Sequence, residues 1–304
     1  MKLRRESSKK DENNKKHILK VKLERFLTKY QKYLYQISFL LFFLVAWEIF
    51  AWVNPFQWPP ARYGTTTINL FGYTFQLTYS FLFPPPSVVF ATFIDKIAGD
   101  ILIHLSGSLN RLLTAYSISI AIALPIGMLI AHSKKAENSI DLIVKILYPM
   151  PGVAWLPLAI LWFGLGNTPI IFVIFTVSFF TITVNTASAM KSVDPVLLSA
   201  AENFGAKGIR KFIKVLIPAA FPQLLTGLRI AWAYSWRTLA ACEMLIATCG
   251  LGFIIEYGRM VHDMPIVMSG MILIGVMGFL IDKGIFGLIE SRTIKRWGMT
   301  IART

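Results

Sequence analysis

Two opposite charges sit inside one apolar run. In "AWAYSWRTLAACEML", Ala231 to Leu245, Arg237 and Glu243 are the only charged residues among aromatic, small and aliphatic ones. A charge at mid-membrane costs at least about 2.5 kcal/mol, so it marks a function unless something neutralises it. At 100° per residue the two lie about 120° apart around a helix, and a separation of six residues excludes an i, i+4 pair. Each therefore needs another partner: a second helix, water or a substrate. The Arg237 guanidinium offers fork-shaped donors that match a carboxylate, sulfonate or nitrate, and equally suits a structural ion pair or a side chain snorkelling to headgroups. Trp155, Trp232, Trp236 and Asn185 are further candidates to face a cavity. For the tryptophans the competing role is core packing or interface anchoring, and for Asn185 a hydrogen bond across helices.

No enzyme constellation accompanies these residues. The chain lacks a Gly-x-x-x-x-Gly-Lys phosphate loop, so it does not supply the usual ATP site. His17, His104, His132 and His262 fall in separate regions without metal-ligand spacing. Cys242 and Cys249, on one continuous helix, would stand about 10 Å apart, too far for a disulfide, and read as free apolar thiols.

The elements that must position these groups are membrane spans. Over 304 residues the mean hydropathy is +0.58, with 55% hydrophobic and 15% charged residues, too apolar for a soluble domain of this length. A net charge of +15 would suggest nucleic acid in a soluble chain, but here the charge collects at the ends and in short loops, which is an orientation signal. Runs long enough to cross a bilayer lie at about Leu34 to Val53, Leu105 to His132, Ile146 to Phe163, Thr168 to Met190, Pro218 to Ala247 and Pro265 to Ile289. The expected fold is therefore all-α, a polytopic membrane protein of six transmembrane helices. It divides into a basic arm (1–33), a first span (34–53), an external interfacial region (54–104), a five-helix core (105–290) with a connecting segment at 191–217, and a basic tail (291–304). Six spans put both termini on one side. Placing that side in the cytoplasm gathers there the arm, Lys134, Lys135, Lys191, Lys207, Arg210, Lys211, Lys214 and the tail, and leaves Arg62, Lys96 and Arg259 outside. Pro149, Pro151 and Pro157 interrupt the third span, which points to an internal, non-lipid face. Trp52 and Trp58 fit an aromatic belt.

The segment "DPVLLSAAENFGAKGIRKFIKVLIPAAFP", Asp194 to Pro222, is amphipathic where the flanking runs are apolar. Asp194 is a natural N-cap, Pro195 a natural first helical residue, and Gly205 a left-handed C-terminal cap. The helix between them carries Val196, Leu197, Ala200, Ala201 and Phe204, more apolar surface than a free cytosolic helix exposes. A headgroup-bound connector and a docking helix are both compatible with this pattern.

This segment resembles the cytoplasmic loop of ATP-binding-cassette (ABC) importer permeases of type I. The resemblance extends from Pro84 to Trp297 through "FPPPSVV", "HLSGSLNRLLTAY", "YPMPGVAWLPLAILWFGLGN" and "CEMLIATCGLGFII", and is similar most of all to the nitrate, taurine and aliphatic-sulfonate group. It implies a homodimer of permeases in a prokaryotic inner membrane, working with two ATPase subunits and an external substrate-binding protein. ATP and Mg would be used by the ATPases, with no cofactor bound by this chain. It also implies coupling to the ATPase through Pro195, Leu198, Ser199, Ala200, Ala201, Glu202, Phe204 and Gly205. Three departures stand out: Ser199 where the family pattern places glutamate, the long basic arm, and an external insertion at 55–82. Alternatives from other classes are a membrane scaffold and an intramembrane enzyme using Arg237 and Glu243. The scaffold does not account for broken spans, and the enzyme lacks a nucleophile or metal site.

Overall fold

A computed structural model describes residues 30–31, 33–52, 63–70, 73–80 and 83–293. The basic arm before residue 30, Trp58, Arg62 and the tail beyond residue 293 lie outside the described residues.

The chain divides into two units, Met1–Val89 and Phe90–Thr304. In the first, α1 (Tyr33–Trp52) is long and apolar enough to span a bilayer and exposes Phe39, Phe42 and Val45. Near its end Glu48 accepts hydrogen bonds from the indole N–H of Trp52 (2.8 Å), the Ser87 backbone N–H (3.0 Å) and the Ser87 hydroxyl (2.6 Å). The insertion contains an element absent from an all-α expectation: β1 (Tyr63–Leu70) and β2 (Tyr73–Ser80) form an antiparallel hairpin, with Thr65 opposite Thr78 and Ile68 opposite Phe75. Its β-branched and aromatic alternation explains the strands. The chain is helical apart from this hairpin among the described residues.

The second unit begins within α2 (Pro86–Thr92) and continues through α3 (Ile101–His132), α4 (Lys134–Leu147), α5 (Gly152–Phe163), α6 (Asn167–Lys191), α7 (Pro195–Asn203), α8 (Ile217–Ile246), α9 (Leu251–Met260) and α10 (Met264–Thr293). The expected third span is not one helix. α4 and α5 meet at 95°, because Pro149 and Pro151 cannot donate to a helical ladder. The described helices give five candidate spans, or up to six when this bent pair counts as one.

α6 is the centre of this unit, with Ile170, Val173, Ile174 and Ile182 buried. It approaches both neighbours so closely that only glycine fits opposite it. A Cβ on Gly127 of α3 would stand 2.6 Å from Thr186, and one on Gly227 of α8 would stand 2.6 Å from Asn185. The hydroxyls of Thr176, Ser178, Thr181 and Thr183 return hydrogen bonds to their own helix four residues back, so they enter the interior satisfied. On the outer surfaces Leu102, Ile103, Leu113, Phe279 and Leu280 are exposed, far more apolar area than water tolerates and what a hydrocarbon solvent requires.

Candidate functional site

Three arrangements concentrate the polar chemistry of the second unit. The first is a buried clasp around Glu243, which is 1% exposed. Arg111 of α3 donates from Nη1 to Glu243 Oε1 at 2.6 Å and to the Cys249 carbonyl at 2.9 Å, and from Nε to Asn167 Oδ1 at 2.7 Å. The Ser108 hydroxyl lies 2.8 and 2.9 Å from the two Glu243 oxygens, and the Gly252 N–H donates to Oε2 at 2.9 Å. α9 thus starts with its free donors satisfied by other helices: Gly250 N–H by His104 Nδ1 (3.1 Å), Leu251 N–H by Ser108 Oγ (2.9 Å) and Gly252 N–H by Glu243. Such donors must find partners when buried, and a carboxylate also complements the positive end of the helix. His104, Ser108 and Arg111 follow at i, i+4 and i+7, so α3 presents them on one face. The turn demands glycine. Gly250 has φ +137°, and a Cβ on Gly252 would stand 2.4 Å from the Ala240 carbonyl.

The second is a cavity of about 320 Å³ at the α4–α5 break, lined by Tyr148, Pro149, Met150, Pro151, Gly152 and Trp155, by Thr176, Val177, Phe180 and Thr181 of α6, and by Tyr234 and Thr238 of α8. Its lining combines rings and hydroxyls without a charged side chain.

The third is α7. Asp194 Oδ1 accepts the Val196 N–H at 2.8 Å. At the other end Ala206 N–H donates to the Ala201 carbonyl and Gly205 N–H to the Glu202 carbonyl, each at 2.9 Å, with Gly205 at φ +83°, which is a Schellman cap. The helix is closed at both ends and exposes Val196 (73%) and Phe204 (92%), while Leu198 packs toward Met190, Val193 and Leu224. Ser199, Ala200 and Glu202 are exposed and Ala201 is half-buried. Lys211 donates to Glu202 at 2.5 Å, and that bond holds the Glu202 carboxyl below its usual range.

Residues 123–295 match the family of binding-protein-dependent transport system inner membrane components. The chain belongs to that family. Among its relatives, the taurine transport system permease protein of Escherichia coli K12 is 30% identical over 79% of this chain and 92% of the relative. A putative ABC transporter permease of Methanocaldococcus jannaschii is 39% identical over 59% of this chain and 67% of the relative. The nitrate import permease of Synechocystis is 31% identical over 63% and 70%. In fold the chain is similar to an inward-facing form of the MetNI methionine ABC transporter, at TM-score 0.56 and 19% identity, covering 64% of this chain and 98% of that one. The chain is thus an inner-membrane permease subunit of an ABC importer, a transport component and not an enzyme, and ATP hydrolysis belongs to a separate subunit.

Within this permease the residues singled out in the sequence separate. Trp155 lines the cavity. Glu243 takes its partner from a second helix, Arg111 of α3. Arg237 is exposed, with its guanidinium 5.0 Å from the centre of the Tyr234 ring and Nε donating to the Ala233 carbonyl at 3.2 Å. Trp236 is buried against Gly278 and donates to the Ile274 carbonyl at 3.3 Å. Asn185 donates to the Thr181 carbonyl of its own helix at 2.8 Å and packs on Gly227. Sequence reasoning missed Arg111, Ser108, Asn167 and His104. The available signal was Arg111 itself, a charge inside the α3 run and opposite in sign to Glu243.

Proposed function

We propose that this permease translocates a small oxyanion, such as nitrate, taurine, another sulfonate or bicarbonate, by alternating access between two copies of the chain. The observation that carries the coupling part is α7: a helix capped at both ends that leaves Val196, Leu197 and Phe204 exposed, with Phe204 at its tip. In this reading each copy offers α7, within the cytoplasmic segment 191–217, to one of two ATPase subunits. Pro195, Leu198, Ser199, Ala200, Ala201, Glu202, Phe204 and Gly205 shape the contact, and both termini are cytoplasmic. An external binding protein delivers the substrate. The names of the taurine and nitrate relatives support the oxyanion.

The cavity favours a second reading of the cargo. Tyr148, Trp155, Phe180 and Tyr234 supply ring faces and Thr176, Thr181 and Thr238 hydroxyls, with no charge among the lining residues, which suits a neutral planar nutrient such as a pyrimidine. Arg237, over the Tyr234 ring, is not among these lining residues and instead lines a separate cavity with Trp236 and Asp282, where its guanidinium offers an oxyanion contact.

The test is uptake of labelled taurine, an alkanesulfonate, nitrate, bicarbonate and an aminopyrimidine by cells with and without this chain, its ATPase and binding protein being present. Loss of one uptake on deletion, restored by the wild type and not by Phe204→Asp, supports both parts. Normal uptake by Phe204→Asp would remove the coupling role of α7, and uptake of the aminopyrimidine alone would replace the oxyanion.

A further inference from the structure

Two chain corners in this permease share the sequence Gly-Leu-Gly. Gly164-Leu165-Gly166 joins α5 to α6, and Gly250-Leu251-Gly252 ends the connection from α8 (247–250) and opens α9. Both lie at the ends of α6 and α8 remote from α7. Gly164 (φ +74°), Gly166 (φ +139°) and Gly250 (φ +137°) occupy backbone states open to glycine and strained for other residues. A Cβ on Gly164 or Gly166 would meet nothing within 4 Å, so the first corner is open on that side at these two positions.

Arg111 touches both. Its Nε donates to Asn167, the residue that ends the first corner, at 2.7 Å. Its Nη1 donates to the Cys249 carbonyl, at the entrance to the second, and to Glu243, which in turn accepts the Gly252 N–H. Arg111 is 5% exposed and its guanidinium is planar, so moving one of its bonds reorients the others.

We propose that Arg111 is a positioning residue for transport: it touches no substrate, and ties the two glycine corners together so that the remote ends of α6 and α8 move as one body. Its consequence for transport rests on the alternating-access reading above; the tie itself does not. A lysine in its place keeps the charge and loses the fork.

The test is hydrogen exchange by mass spectrometry on the full permease with its ATPase in nanodiscs, comparing wild type, Arg111→Lys and Asn167→Ala. Asn167→Ala leaves the buried Arg111–Glu243 pair intact, so it carries the test should Arg111→Lys fail to assemble. Exchange is expected to rise about tenfold at residues 164–167 in Asn167→Ala and by a smaller but clear factor at 249–252, a corner that Asn167 does not touch. Arg111→Lys is expected to raise both. A rise confined to 164–167 in Asn167→Ala would overturn the proposal, leaving two independent contacts, as would unchanged exchange at both corners. ATP hydrolysis and uptake, measured on the same preparations, report separately on transport. A tied variant pair with unchanged uptake would keep the tie and remove its role in transport.

Discussion

At the scale of single residues, a charge that the sequence left without a partner turns out to be closely satisfied. Glu243 accepts from a guanidinium, a hydroxyl and a backbone N–H in a setting where water does not compete. Removing one partner of such a pair strands the other, which costs about 3–5 kcal/mol. Glu243→Ala is therefore expected to lower the thermal midpoint of the purified permease severely. Arg237→Gln, at an exposed position, is expected to change stability by about 0.5 kcal/mol or less. A fall in uptake by Arg237→Gln with an unchanged midpoint would mark a substrate contact, and equal uptake would mark a peripheral side chain. Glu202 allows a signed statement about pH. Its carboxyl is held low by Lys211, so the bond is in place above the ordinary carboxylate range and is lost as pH falls through the lowered value. Acidification to about pH 5.5 should leave it intact, and Lys211→Ala should return Glu202 to an ordinary titration by NMR.

At the scale of elements, the caps of α7 predict a graded response. Asp194→Ala removes one capping bond and is expected to cost about 1 kcal/mol locally. Gly205→Ala forces a side chain into φ +83° and is expected to cost about 1–2 kcal/mol. Both should fray α7 without hindering membrane insertion, giving normal permease levels with reduced ATP-driven uptake. The helices were legible in the sequence because bilayer thickness, proline and glycine act locally. Thr168 to Met190 was expected and Asn167–Lys191 is found; Pro218 to Ala247 was expected and Ile217–Ile246 is found. Two elements were not legible. The interruption of the third span was expected from Pro149, Pro151 and Pro157, but its 95° bend was not, because length and proline count do not give a direction. The hairpin at 63–80 lay within a region read only as interfacial, although Thr-rich alternation was present. The clasp was illegible for another reason. Arg111 and Glu243 are 132 residues apart, and no local rule pairs charges across helices.

For the molecule as a whole, α8 is fastened to other helices by ion pairs at Arg229 and at Glu243 among the described residues. Toward its start Arg229 forms a two-bond contact with Asp282 of α10, at 2.8 and 2.5 Å, and near its end Glu243 meets Arg111. The two fastenings are 14 residues apart, about 21 Å along the helix. They should act independently: the cost of Glu243→Gln with Asp282→Asn is expected to equal the sum of the single costs within about 0.5 kcal/mol, measured by thermal or denaturant unfolding. The Arg229 contact is partly exposed and its share should be about 1 kcal/mol or less. A larger departure from additivity would mean that α8 transmits strain along its length. The start of α9 carries one more consequence. A helix beginning is ordinarily a ready trap for anions. Here a resident carboxylate already fills that place, so a free anion that reached it would find its donors taken.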